Sequence, residues 1–69
     1  MVNKYFIDYR AADKDENDIY TDDAIISAAN PIVAFQKLNA MLYPDHILTV
    51  DYMGLVEGGD CKDIFKGGD

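Results

Sequence analysis

Three groups of side chains in this chain could carry chemistry by type and spacing. Asp13, Asp15 and Asn17 stand where an EF-hand calcium loop places its first three ligands. The match then fails, because Asp18 takes the position that needs glycine for the sharp turn and Ala24 the position of the bidentate glutamate. Asp22 and Asp23 are the obvious carboxylate pair for general acid–base work. They fall in a segment that reads as a strand, where neighbouring side chains point to opposite faces, so the two do not converge on one substrate. His46 has no Cys or His companion at ligand spacing and no triad order around it, and it is expected as a partly exposed loop residue. Cys61 sits among Asp60, Lys62 and Asp63, with nothing to make it a strong nucleophile. No catalytic residue, resident metal or cofactor is expected.

What remains is charge placement. Seven of the thirteen carboxylates fall in the sixteen residues from Asp8 to Asp23, whereas 31–43 contains none. Asp13, Asp15, Glu16, Asp18, Asp22 and Asp23 crowd one hairpin, and eleven of the thirteen acids are Asp, whose short stem holds charge near the backbone. Carboxylates fixed in this way can stand in for a run of phosphates and occupy a basic groove. Turn tips are polar for local reasons and Asp is a good turn former, which accounts for the tip itself. It accounts less well for Asp22 and Asp23 inside a strand. The expectation is a single contiguous negative patch.

With 69 residues the chain makes one domain near the lower limit for folding without staples, and an apolar content of 49% argues against disorder despite a net charge of −7. That charge disfavours direct binding to nucleic acid and to anionic membranes and favours a basic protein as partner. A single cysteine cannot form an internal disulfide, and neither a leader-like apolar segment nor a membrane-length run is visible. A cytoplasmic location is the expectation.

The elements that would position these groups are legible. Lys4 to Ala11 alternates Tyr5, Ile7 and Tyr9 against Phe6, Asp8 and Arg10 and reads as a strand; Ile19 to Ala28 reads as its hairpin partner, with Ala24, Ile26 and Ala28 on one face. Asn30-Pro31 is a strong helix start, and Tyr43-Pro44-Asp45 a stop. On that helix Ala34, Phe35, Leu38, Met41 and Leu42 form the arc expected to face the sheet. His46 to Met53 is a third strand, with Leu48, Val50 and Tyr52 expected inward. Residues 58–69, containing Gly58-Gly59-Asp60, read as a flexible tail after a domain over 1–57; they lack the context and the lysine of a phosphate loop. The fold class expected is α+β, in the order β-β-α-β, with one helix on a three-stranded antiparallel sheet.

The other side of the helix, with Ile32, Val33, Gln36, Asn39, Ala40 and Tyr43, lacks the Glu and Lys of a solvated surface. It reads as an interface, with Ile32, Gln36, Tyr20 and Tyr43 as candidate contacts alongside the acids.

The run from Ala24 to Leu38, with a Tyr/Ile strand before it and Ile47-Leu-Thr-Val-Asp-Tyr after it, resembles in layout many small acidic phage-encoded proteins. Anti-CRISPR proteins and phage inhibitors of uracil-DNA glycosylase are among them. The resemblance implies a compact inhibitor that occupies the nucleic-acid-binding surface of a basic host protein or CRISPR defence complex. The alternative is a small homodimeric structural or assembly module whose acidity serves only solubility.

Overall fold

The computed structural model describes residues 2–13, 19–42 and 46–67. Along the chain these form β1 (Asn3–Asp13), β2 (Ile19–Ala28), α1 (Pro31–Met41), β3 (His46–Glu57) and β4 (Asp60–Lys66). The strands make one antiparallel sheet in the order β2-β1-β3-β4. The fold is therefore α+β, but with four strands in the order β-β-α-β-β rather than three.

The extra strand corrects the expectation of a tail over 58–69. Gly58 and Gly59 form a two-residue hairpin turn, with Gly58 in the left-handed region at φ 62° and Glu57 paired to Asp60. Two-residue hairpin turns of the type with positive φ at the first central residue favour glycine there. β4 has no buried residue and hence no apolar alternation to betray it; pairing with β3 makes it a strand. β3 accordingly runs past Met53 to Glu57.

β1 is one of the two inner strands. Its Tyr5, Ile7, Tyr9 and Ala11 are buried, and with Ile26, Ala28, Ala34, Leu38 and Met53 they make up the core. α1 begins as its sequence requires: the Asn30 side chain accepts a hydrogen bond from the Val33 N–H at 2.9 Å, with Pro31 opening the first turn. The described helix ends at Met41, two residues short of the expected Tyr43, which lies outside the described residues.

The buried helix face is turned from the expected one, since Val33, expected on the outer side, packs against the core. Ala34 and Leu38, one turn apart, are buried, with Val33 and Leu42 packed against the core, while Phe35 and Met41 are 38% and 68% exposed. A single 11-residue helix packs chiefly on β2, so the Phe35 side of its apolar arc faces β3 and β4 across a gap instead of packing down on them. Tyr52 is a further correction. Register shifts from Asp8–Tyr52 to Tyr9–Val50, so Asp51 is an extra residue on β3. Such a bulge reverses the alternation beyond it. Leu48 and Val50 pack against the core, whereas Tyr52 emerges on the face away from α1, with its ring 6.2 Å from that of Phe6.

Candidate functional site

Antiparallel register decides which acids meet. On the face away from α1, Asp8 of β1 lies directly opposite Asp23 of β2, and both are exposed. Like charges in direct cross-strand positions weaken a sheet, so this pair is not there to hold the hairpin together. Asp22 lies opposite Tyr9 on the helix side, past the part of β2 that α1 covers, and it too is exposed. Its Oδ1 accepts the Asp23 N–H at 2.8 Å, which fixes both residues at the margin of the sheet. Asp13 closes β1 opposite His46. Asp15, Glu16 and Asp18 lie outside the described residues, as does Asn17 of the calcium-like spacing.

Among the described acids of the hairpin, charge is carried on both faces. Because adjacent strand residues must alternate, Asp22 and Asp23 carry their charge to the two sides of one sheet edge. The hairpin's arginine does not neutralise them. Arg10 Nε donates to both carboxylate oxygens of Asp51, at 3.1 and 3.0 Å, and Nη2 lies 3.0 Å from Oδ1. Among the described residues no ion pair reaches Asp8, Asp22 or Asp23.

Their field is felt inside the protein. The Tyr9 hydroxyl is pushed above its ordinary value of 10.0, first by burial and then by Asp22, Tyr20 and Asp23. A phenol whose folded-state pKa is raised contributes stability in full below pH about 10 and loses it as pH rises through the folded-state value. Tyr9→Phe is expected to flatten the fall in melting temperature between about pH 9 and about pH 11. An unchanged alkaline slope in thermal melts of that variant would remove Tyr9 as its source.

Around the acids the open face is banded. Ile19, Ala12 and Ile47 lie side by side on β2, β1 and β3, followed by Thr21, Arg10 and Thr49. A shallow cleft of about 150 Å³ opens there, lined by Arg10, Ala11, Ala12, Ile19, Ile47 and Thr49. Ile25 and Phe6 form the apolar band on the far side of the Asp8–Asp23 pair.

Four residues on β3 and β4 form a constellation that sequence reasoning missed. Tyr52 donates to Asp63 Oδ1 at 2.7 Å and lies 3.4 Å from Cys61 Sγ, while Lys66 Nζ sits 3.1 Å from Asp63 Oδ2. Hydrogen bonding to Cys61 and then to Asp63 raises the Tyr52 pKa well above the ordinary range, and the bonds from Tyr52 and Lys66 lower that of Asp63. The phenol is thus a committed donor, and the cluster ties β4 to β3. Gly54 makes room for it, since a Cβ there would lie 2.5 Å from the Tyr52 hydroxyl oxygen. No spacing rule announces this group; it exists because β4 folds back onto β3.

Of the expected anchors, Ile32 and Gln36 are exposed on α1, and Tyr20 is exposed on β2. Tyr43 lies outside the described residues. His46 is half-buried and opens β3, where the third strand is expected to begin, its ring edge-on to Tyr20 at 6.1 Å. A second feature, also missed, is an apolar groove of about 410 Å³ beside the helix, lined by Phe35, Thr49, Val50, Met53 and Phe65. It is the space left where α1 does not reach across the sheet.

Among the described residues no group of three or more His, Cys, Asp or Glu is placed to hold a metal ion, and no helix is long and apolar enough to cross a membrane. Comparisons with protein-family models, with curated proteins and with solved structures returned no match to this chain.

Proposed function

We propose that this chain is a non-enzymatic inhibitor of the phage type that binds a basic nucleic-acid-binding protein, or a CRISPR defence complex, at the surface used by nucleic acid. Asp8, Asp22 and Asp23 supply the charge, and Ile19, Tyr20 and Ile25 the apolar contact beside it. The observation that carries the reading is the cross-strand Asp8–Asp23 pair. Two like charges face each other on an exposed sheet, and the nearby Arg10 is spent on Asp51 instead. That arrangement costs the fold stability and suits a cation brought by a partner. The test is affinity capture from host lysate at low and high ionic strength. A nucleic-acid-binding protein should be retained at low salt, released as salt rises and displaced by added nucleic acid. Capture indifferent to salt would exclude the reading.

The groove beside α1 supports a second reading, a homodimeric module. Under that reading the seam includes the Phe35 side of the helix as well as the exposed Ile32 and Gln36. Sedimentation at micromolar concentration separates the two readings. Under the second, the chain runs as a dimer that Phe35→Asp and Phe65→Asp each convert to monomer; under the first, wild type is already monomeric.

A further inference from the structure

β2 is an outer strand, and among the described residues its ten residues pair with β1 alone. Which of its backbone groups face outward can be worked out. The two-residue turn makes Glu57 and Asp60 a hydrogen-bonded pair. Alternation along β3 then directs Val56 to Lys4 of β1, so Lys4 does not bond to Ser27 across from it on β2. Ser27 therefore turns its N–H and C=O outward, in keeping with the Lys37 ammonium that donates to the Ser27 carbonyl at 2.7 Å. By the same alternation Thr21, Asp23 and Ile25 also direct their backbone groups away from the sheet, where the Asp23 N–H is taken by Asp22 Oδ1 at 2.8 Å and those of Thr21 and Ile25 remain for an added strand.

An open edge of this length invites a further strand. A second copy is a poor occupant. Antiparallel β2–β2 pairing about Asp23 would set Asp23 directly against its own copy, with the two Asp22 side chains diagonal to each other on the other face, between two chains each carrying a charge of −7. A basic strand is complementary. Asp23 projects to one face beside Asp8, and Asp22 to the other, at the same level along the edge. Two consecutive residues of an added strand would place a cation on each face, whereas two bases separated by one residue would place both on the same face. On either side of the acids, Ile19 and Ile25 are 69% and 62% exposed, which suits apolar or β-branched neighbours.

We infer that β2 is a docking edge for an extended partner segment, added as a fifth strand, that carries two consecutive basic residues between apolar or β-branched ones. The inference rests on the reading of the hairpin acids as a surface for a basic partner, and adds the mode of contact and the chemistry of the segment.

The experiment titrates the full chain with the terminally blocked peptide Thr-Val-Thr-Lys-Arg-Thr-Val-Thr and its isomer Thr-Val-Lys-Thr-Arg-Thr-Val-Thr, followed by amide NMR. The consecutive-base peptide should bind about tenfold more tightly than the isomer and protect the amides of Thr21 and Ile25 from exchange, the Asp23 N–H being held already by Asp22 Oδ1. Ile25→Pro keeps every charge and removes one outward N–H, at a kind of edge position where proline is tolerated; it should weaken binding by about tenfold. Outward amides left unprotected at saturation, or equal affinity for the two peptides, would overturn strand addition whatever the proline variant does. If binding then still falls in the double variant Asp22→Asn, Asp23→Asn, the acidic surface stands and only the docking mode is lost. Full binding by that double variant would sink the acidic reading too. Protection of the same amides without peptide, growing with protein concentration, would assign the edge to a second copy and overturn the inference.

Discussion

Ile7→Ala is expected to remove about 3–4 kcal/mol of stability, the largest effect of any single truncation in this fold. Ile7 is fully buried on an inner strand, between Ala24 of β2 and Met53 of β3 in the register. Its neighbour on β2 is too small to collapse into the space, so most of the deleted volume would stay as a cavity, and cavity cost adds to lost burial. A chain of 69 residues holds roughly 3–10 kcal/mol in total. The variant should therefore be unfolded or close to it at room temperature. Urea denaturation followed by far-ultraviolet circular dichroism measures this, with Ile25→Ala as the internal control. Ile25 is exposed on the opposite face and should cost no more than about 0.5 kcal/mol. Similar losses in the two variants would mean that the core does not lie between β1 and α1.

The second large effect concerns binding. Replacing Asp8, Asp22 and Asp23 together by Asn should weaken capture of the basic partner by about 100-fold at low salt. The gap should close as ionic strength approaches about 1 M, where screening acts within a few ångströms. Asn keeps the shape of Asp and leaves position 22 an oxygen to accept the N–H of residue 23, so the backbone has no reason to move. The same variant should melt slightly higher than wild type, because a repulsive cross-strand pair has been removed. Weaker binding together with a higher melting temperature marks acids retained for a partner. A lower melting temperature would show instead that the carboxylates support the hairpin, and unchanged capture would end the proposal.

Much of this architecture could be read in advance where local rules and burial agree. The Tyr5-Ile7-Tyr9 alternation is the inward face of β1, and Ala24, Ile26 and Ala28 are the inward face of the second half of β2. Asn30-Pro31 starts α1 because the capping bond and the proline ring both act within one turn. β4 escaped because none of its residues is buried, and an exposed strand leaves no period in the sequence. The side of Tyr52 escaped because a bulge is a property of two paired strands rather than of either one. Phe35 and Met41 were expected in the core on helical spacing alone, but how far one helix reaches over four strands is settled by packing.

For the candidate site, composition alone determined that acid is concentrated before residue 24 and absent from 31–43. Folding decided the rest. Pairing of β1 with β2 set Asp8 against Asp23, the bulge at Asp51 drew Arg10 away from both, and the place of β2 at the end of the strand order left its outer edge open. Charge content is a sum over residues and survives any arrangement of the chain. Cross-strand neighbours and open edges depend on register and strand order, which come into being only when distant segments pair.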